Sequence, residues 1–327
     1  MKTHSPLVSI HRLKIKCPVC GKKDNCAVSD DRRRAFCRRV RSDKPGRGGW
    51  THILSDDPHI AMRIQHTSQP KWEQADRAPV EHRDAIYSTL IRKHLTLSCP
   101  HKQKLLARGL PESEIERNGY TSTPDECRAR EIAEALSIYG LKGVPGFYRK
   151  NGSGRMAVRP GYFVPYRNER GQIQAMQYRL DEPLDGGKTK YLWLSSRDCS
   201  SGAPVHCAYW HLLRDAREVT ITEGALKADI AAYFLQAPVL AIAGVSCFGA
   251  DFAPNLKAKY PKLETAYLAF DADFQHNDGV KESLFRLADE LQSAGLRAQV
   301  RAWPAHMGKG IDDYLLAVTK SEGRVAA

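Results

Sequence analysis

Four cysteines near the amino terminus have the spacing of a metal site. Cys17 and Cys20 are separated by two residues and followed by a glycine, which permits a tight turn around a metal, and Cys26 and Cys37 follow shortly afterwards. Thiolates with this spacing bind zinc in a tetrahedron, and four of them leave no position for a catalytic water. The sequence therefore predicts a structural zinc site in a small ribbon.

The segment 26–37 predicts how the second pair of cysteines meets. It has the pattern of a β-hairpin whose turn is centred on its midpoint, so that paired residues have numbers that sum to 63. Cys26 and Cys37 are such a pair, which places their Cβ atoms about 5 Å apart on one face of the hairpin. His52 is the alternative ligand in place of Cys26.

Carboxylates follow three predicted strands in the last third of the chain. Glu223 follows the first, Asp271 and Asp273 end another, and Asp312 and Asp313 follow the last. Because the carboxyl ends of parallel strands meet at one edge of a sheet, we expect these side chains to gather there. Carboxylates gathered in this way favour Mg²⁺ or Mn²⁺, and such a site suits phosphoryl or nucleotidyl transfer.

The elements that must position these carboxylates are predicted by the pattern from residue 218 onward. Strand-like apolar runs alternate there with helical segments in the order βαβαβαβ. This alternation is typical of a mostly parallel sheet with helices on its faces. The carboxylates would thus lie at the edge where such sheets bind their ligands.

The rest of the chain predicts two further regions. Residues 81–141 contain helical patterns, and residues 143–210 contain short alternating runs typical of an antiparallel sheet. The fold class is therefore α/β, or α+β overall. The predicted segments are a zinc ribbon (12–54), a linker (55–80), a mixed helical and antiparallel basic middle subdomain (81–217), a Rossmann-like parallel sheet (218–316) and a tail (317–327).

Charge is unevenly distributed along the 327 residues. The chain carries 50 basic and 37 acidic residues, a net charge of +13. Residues 1–50 hold 14 basic and 4 acidic residues, whereas residues 218–316 hold 9 and 13. The basic excess of the front and middle segments favours either solubility alone or a surface for a polyanion such as nucleic acid.

Hydrophobicity excludes an integral membrane protein. With 42% hydrophobic residues, the chain has no apolar run near the roughly 20 residues that a membrane span requires. The amino-terminal segment also lacks the apolar core of a secretion signal. The sequence therefore predicts a cytoplasmic protein without a membrane partner.

Several motifs occur in the order found in one known family. The strand-end residues Glu223, Asp271 and Asp273 resemble the TOPRIM domain of DnaG-type primases and topoisomerases. Upstream, LLARGLPESEIERNGY, FVPYRNERGQIQAMQYRLD and the segment KYL followed by Ser195 resemble bacterial primase cores. The resemblance covers roughly residues 12–54 and 100–316, and it is strongest to the primase-like TOPRIM proteins of phages and mobile genetic elements.

This resemblance implies a DNA primase that makes short oligoribonucleotides on single-stranded DNA. Glu223, Asp271 and Asp273 would carry out nucleotidyl transfer with Mg²⁺ or Mn²⁺, Glu223 being a metal ligand or a possible base. Structural Zn²⁺ would sit in the ribbon. The basic positions implied for binding template or nucleotide are Arg179, Lys190, Lys227, Arg38 and Arg39.

The implied partners are single-stranded DNA, nucleoside triphosphates, and a separate helicase and DNA polymerase. No GxxxxGK[ST] loop is present, so we expect no built-in ATPase motor. The last acidic motif reads Gly-Ile-Asp-Asp, which leaves open whether Asp312 or Asp313 binds metal. A TOPRIM nuclease and a non-catalytic single-strand-binding accessory protein are the alternative functions.

Overall fold

The computed structural model describes residues 6–30, 33–46, 48–54, 76–187, 189–196, 199–244, 248–249, 251–272 and 278–322. Most of the predicted linker, Asp273 and the last five residues lie outside these ranges. Within them, every helix is too short or too polar to span a lipid bilayer. The chain divides into two compact units, one containing the amino-terminal cysteines and one whose described residues begin at 76.

The amino-terminal unit is an antiparallel sheet beside the cysteines. Its strands are β1 (Leu7–Ser9), β2 (Ala27–Ser29), β3 (Arg34–Cys37), β4 (Pro45–Gly46) and β5 (Gly49–Ile53), in the order β1-β2-β3-β5-β4. In the β2–β3 hairpin, Ala27 pairs with Phe36 and Val28 with Ala35, the register that the sequence predicts. Its core is small and includes three of the cysteines beside Ile10.

The second unit begins with helices and an antiparallel sheet. The helices are α1 (Val80–Thr89), α2 (Cys99–Ala107), α3 (Glu112–Asn118) and α4 (Glu126–Leu136), with a π-helical turn (Leu90–His94) after α1 and a 3₁₀ turn (Ser137–Tyr139) after α4. The strands are β6 (Thr121–Ser122), the hairpin β7 (Phe147–Lys150) and β8 (Ser153–Met156), β9 (Gly161–Arg167), β10 (Ile173–Leu184) and β11 (Thr189–Trp193). The main sheet has the order β11-β10-β9-β6.

This antiparallel sheet is buried on both faces. Along β9, Phe163 packs into a cluster with Ile132 of α4, whereas Tyr162 and Val164 pack on the opposite side with Leu105 of α2. Such alternation follows from the two-residue period of a strand. The second cluster also contains residues of the carboxyl-terminal region, so the two parts of this unit share a core.

The carboxyl-terminal region is a five-stranded sheet with the order β12-β14-β13-β15-β16. Its elements are β12 (His206–Ala208), α5 (Trp210–Leu213), β13 (Glu218–Glu223), α6 (Ala225–Leu235), β14 (Val239–Ile242), α7 (Phe252–Lys259), β15 (Thr265–Leu268), α8 (Asp278–Ser293), β16 (Arg297–Val300), a 3₁₀ turn (Ala305–Met307) and α9 (Ile311–Ser321). Strands β13 to β16 are parallel, which confirms the predicted βαβαβαβ order. The exception is β12, an antiparallel edge strand that precedes the predicted start of this sheet.

Candidate functional site

The four predicted cysteines form one cluster. Their sulfur atoms lie within 4.8 Å of one another, with Cys26 Sγ 3.8 Å from Cys20 Sγ and 3.9 Å from Cys37 Sγ. Four sulfurs at about 2.3 Å from a tetrahedral zinc ion are separated by about 3.8 Å, so the cluster fits zinc. Cys17, Cys26 and Cys37 are buried.

His52 is directed elsewhere. Its Nε2 lies 2.9 Å from the carbonyl oxygen of Val40, while Cys26 occupies the position for which His52 was the alternative. The structure therefore favours four sulfur ligands.

The protonation of the thiols differs within the cluster. Burial raises the pKa of Cys26 to about 12 and also raises the pKa of Cys37. Burial acts in the same direction on Cys20, but hydrogen bonds from the Lys22 backbone, Cys17 and Arg39 outweigh it and lower its pKa to about 7. Of these three cysteines, Cys20 therefore most readily supplies a thiolate.

Arg39, predicted to bind nucleic acid, contacts the cluster. Its Nη1 lies 3.7 Å from Cys26 Sγ and 3.0 Å from the carbonyl oxygen of Asp24, and its Nη2 donates to Asp24 Oδ1 at 2.9 Å. The guanidinium thus places positive charge beside the sulfurs, which stabilises thiolates.

A second group of predicted residues lies at the carboxyl ends of β13 and β15. Glu223 is the last residue of β13, and the N–H of Ala269 donates to Ile221 of that strand at 2.9 Å. Beyond β15, the N–H of Ala272 donates to the carbonyl oxygen of Lys309 at 2.8 Å, which brings the turn before α9 to the same place. We call Glu223, Asp271 and residues 309–312 the carboxylate edge.

Two lysines lie beside Asp271. Lys227, on the first turn of α6, forms an ion pair with Asp271 Oδ1, and Lys309 Nζ lies 3.6 Å from Oδ2. The Asp271 side chain is 16% exposed, whereas that of Lys309 is 65% exposed. Each of these cations could exchange the carboxylate for an incoming phosphate.

The two aspartates of the last motif have different environments. Asp312 is 2% exposed and forms an ion pair with Arg108, which follows α2. Burial lowers the pKa of Arg108, but the charge of Asp312 outweighs it and raises this pKa above its ordinary value. Asp313 is exposed, and its Oδ2 accepts from the N–H of Gly310 at 3.3 Å as a cap of α9.

The donor atoms of this edge suit a hard divalent cation. Asp312 Oδ1 is buried and has no hydrogen-bond partner in the described part of the chain, so a cation would satisfy it. Glu223 and Asp271 add carboxylate oxygens at the neighbouring strand ends. The residues therefore fit Mg²⁺ or Mn²⁺ in chemistry, although Asp271 and Asp312 are compensated here by basic side chains.

The predicted basic residues of the middle region lie on β10 and β11. Arg179 is paired in register with Tyr191, and its guanidinium lies 5.2 Å from the centre of the Tyr191 ring. Lys190 is exposed on β11. A cation beside an aromatic ring is a common arrangement for binding single-stranded nucleic acid.

Arg108 and Lys309 were not among the residues predicted for the site. Arg108 belongs to the LLARGL motif, so its place in the family pattern was a signal that could have identified it. Lys309 stands in a glycine-rich turn without a periodic pattern. The structure places it through the backbone hydrogen bond to Ala272 and the ion pair with Asp271. Asp273 lies outside the described residues, and its place at the edge stays a prediction.

One family model matches the carboxyl-terminal region of this chain. Residues 209–322 match the model of a family described as a domain of unknown function, DUF3854. Proteins with curated descriptions include none with significant sequence similarity to this chain.

Solved primase structures resemble this chain at low sequence identity. The zinc-binding and RNA polymerase domains of the Aquifex aeolicus primase match at 15% identity and a TM-score of 0.56, covering 76% of this chain and 59% of that one. The RNA polymerase domain of Mycobacterium tuberculosis primase DnaG matches at 15% identity and 0.56, covering 76% and 82%. A DnaG catalytic domain bound to single-stranded DNA matches at 18% and 0.52, covering 75% and 76%. The chain therefore has a primase-like fold.

Proposed function

We propose that this protein is a DNA primase that joins ribonucleotides into short primers on single-stranded DNA. The observation that carries the proposal is the carboxylate edge itself. Carboxylates follow two neighbouring strand ends and one turn there, and Arg108 of the LLARGL segment forms an ion pair with Asp312. This arrangement stands in a chain with a primase-like fold.

The basic side chains at the edge would bind the triphosphate. Lys227, Lys309 and Arg108 are each held close to a carboxylate, so a phosphate group can replace the carboxylate as their partner. A divalent cation held by Glu223, Asp271 and Asp273 would neutralise phosphate charge and activate the attacking oxygen. We assign Glu223 as a metal ligand or base.

The basic groups outside the edge would bind the template. Arg179 and Lys190 lie on neighbouring strands, and Tyr191 offers a ring on which a base can stack. In the ribbon, Arg38 would contact the template phosphates, with Arg39 shared between nucleic acid and the cysteine cluster. A similar fold in complex with single-stranded DNA supports this assignment.

The proposed cellular setting is replication of a phage or mobile genetic element. Primers made in the cytoplasm would be extended by a separate DNA polymerase behind a separate helicase. The chain spans 59% of the length of the Aquifex primase structure. The helicase and polymerase are therefore part of this proposal, implied by the resemblance to primases.

A non-catalytic single-strand-binding accessory protein is the second candidate. The observation that favours it is the pairing of Asp271 and Asp312 with basic side chains. Among the described residues, the four cysteines form the one group of three or more potential ligands that could hold a metal ion. If this pairing persists with nucleotide and cation present, the edge would bind DNA or nucleotide without catalysing transfer.

One assay separates these candidates from a TOPRIM nuclease. Zinc-loaded protein is incubated with single-stranded DNA and labelled ribonucleotides, with Mg²⁺ or Mn²⁺, and wild type is compared with Asp271→Asn. The matched control is Asp215→Asn, because Asp215 is an exposed aspartate paired with Lys262. Oligoribonucleotides lost at least 100-fold in Asp271→Asn but kept in the control would support a primase.

The other products identify the alternatives. Shortened template that depends on Asp271 would indicate a nuclease. Salt-sensitive DNA binding without either product would overturn both enzymatic functions and leave the accessory protein.

A further inference from the structure

A cavity of about 420 Å³ lies in the second unit, between the end of α3, the β9–β10 hairpin and the segment that joins β12 to α5. Its position differs from that of the carboxylate edge. Ala208, in its wall, pairs with Val239 at the start of β14, whereas Glu223 pairs with Ile242 at the end of that strand. This wall of the cavity therefore lies nearer the opposite end of the parallel strands.

A guanidinium without a carboxylate partner lines this cavity. Arg167 donates to the carbonyl oxygens of Gly171 at 2.9 Å and Asn118 at 3.3 Å, and no described carboxylate lies within ion-pair distance of it. Burial lowers the pKa of Arg167, and the opposing charges of Asp229 and Asp84 do not outweigh it. An anion in the cavity would compensate this charge.

Of the two acids in the cavity wall, Glu116 is exposed, and both oxygens of Asp229 are already hydrogen-bonded. The backbone N–H of Arg167 donates to His206 Nδ1 at 2.9 Å, so the proton of this imidazole is on Nε2. His206 Nε2 donates in turn to Asp229 Oδ1 at 3.0 Å. The hydroxyl of Tyr120 donates to Asp229 Oδ2. Both carboxylate oxygens are therefore engaged, and the Arg167 side chain keeps unused N–H donors.

Other groups in the cavity wall suit a ligand that has hydrogen-bond acceptors and an aromatic ring. Asn118 Nδ2 is buried and has no hydrogen-bond partner in the described ranges. Arg92 adds an exposed positive charge at the rim. Trp210 is 39% exposed, and His211 contacts it edge-on with 5.8 Å between ring centres. Donors therefore lie beside a partly exposed aromatic surface.

We propose that this cavity is a second nucleotide-binding site, in which Arg167 and Asn118 hold a phosphate and Trp210 stacks with the base. Its volume is within the range of about 300–1,000 Å³ that small-molecule sites occupy. The ligand is a nucleoside phosphate, either free or within a nucleic-acid strand. The site does not depend on nucleotidyl transfer at the carboxylate edge.

Calorimetric titration of the zinc-loaded full chain tests this site, with ADP and the pentanucleotide dT5 as probes and no added divalent cation. We expect Arg167→Gln and Trp210→Leu each to raise the Kd of the bound probe about 10-fold, and Arg92→Gln about 5-fold. The matched control is Arg130→Gln, an exposed arginine of α4 that should leave the Kd unchanged. A Kd that rises in Lys227→Gln would show that the probe binds at the carboxylate edge.

The two probes distinguish the sources of the nucleotide. ADP binding that the cavity variants weaken and Lys227→Gln does not would show a free nucleotide site, and the same pattern for dT5 alone would show a strand site. Binding of both probes that is unchanged in the cavity variants, or no binding at all, would overturn the proposal. If Arg167→Gln fails to fold, the variants of the exposed Arg92 and Trp210 decide the outcome.

Discussion

Arg108 forms an ion pair with Asp312, a residue 204 positions further along the chain. The pair joins the turn after α2 to the first turn of α9, so it connects the middle region to the carboxylate edge within one unit. Asp312 is almost fully buried, while the Arg108 side chain is 29% exposed. A carboxylate in the first turn of a helix is also favoured by the helix dipole.

Replacing Asp312 with Asn should destabilise the second unit. The substitution leaves the Arg108 guanidinium largely buried without its counter-charge, a loss of about 3 kcal/mol in the free energy of unfolding. Urea denaturation measures this loss. In the double variant with Arg108→Gln, the cost should be at least about 1 kcal/mol less than the sum of the single losses, since the two residues interact. If the loss in the double variant equals the sum of the two single losses, a direct interaction between Arg108 and Asp312 is contradicted.

Gly310 should not tolerate a side chain. A Cβ at this position would lie 2.3 Å from Asp312 Oδ1 and 3.2 Å from Lys227 Cε. Because these groups face each other across the carboxylate edge, Gly310→Ala should displace one of them and lower nucleotidyl transfer about 10-fold or more. The control is Gly295→Ala, at φ +83°, where a Cβ meets nothing within 4 Å. This variant strains its own backbone before β16, away from the carboxylate edge, and should keep the transfer rate of wild type. Equal activity of Gly310→Ala and wild type would contradict the crowding.

Local patterns in the sequence predicted those features that depend on neighbouring residues. The turn symmetry of the segment 26–37 gave the pairing of Ala27 with Phe36, because a hairpin register follows from its loop. The βαβαβαβ order was also predictable, because apolar residues recur with a different period in strands and in helices, and a short segment is enough to distinguish the two. Both features position potential metal ligands, and both can be predicted from residues that are close together in the sequence.

Sequence patterns did not predict which side chains from distant parts of the chain contact each other. Arg108 meets Asp312, and His206 meets Asp229, only after the helices pack on the sheets. The helical patterns predicted within residues 81–141 also failed to show that α1 ends at Thr89 and is followed by a π-helical turn. A buried polar contact leaves no periodic signal, because each partner looks like an ordinary surface residue in its own segment.

The buried contacts of Asp229 should contribute strongly to stability. In Asp229→Asn, the amide NH₂ would face either the Tyr120 hydroxyl or His206 Nε2–H, so one donor loses its acceptor. We expect a loss of about 2 kcal/mol in the free energy of unfolding. Glu131→Gln, which removes only an exposed pair with Arg128, should cost less than about 1 kcal/mol. Similar losses in both variants would contradict the assigned hydrogen bonds.

Asp181 should make stability depend on acid pH. Burial raises its pKa, but hydrogen bonds from Lys104 and His101 outweigh this effect and lower the pKa in the folded state. A lowered folded pKa stabilises the protein above the unfolded value of about 3.9, and this contribution disappears as the pH falls through the folded pKa. Asp181→Asn should therefore flatten the fall in unfolding free energy below about pH 4. An unchanged pH profile would contradict the role of these contacts.

Removal of zinc should unfold the amino-terminal unit and leave the second unit folded. The apolar core beside the cysteines is small, so the four metal–sulfur bonds supply most of the stabilisation, about 10 kcal/mol or more at neutral pH. Cys26→Ser should abolish zinc binding, measured as metal content per chain, and expose residues 6–54 to protease. Cys127→Ser, on the exposed face of α4, should keep one zinc ion per chain and the protease resistance of wild type. Because the second unit has its own buried clusters, its protease-resistant fragment should persist in both variants. Retained zinc in Cys26→Ser would show that the remaining cysteines or His52 complete the site.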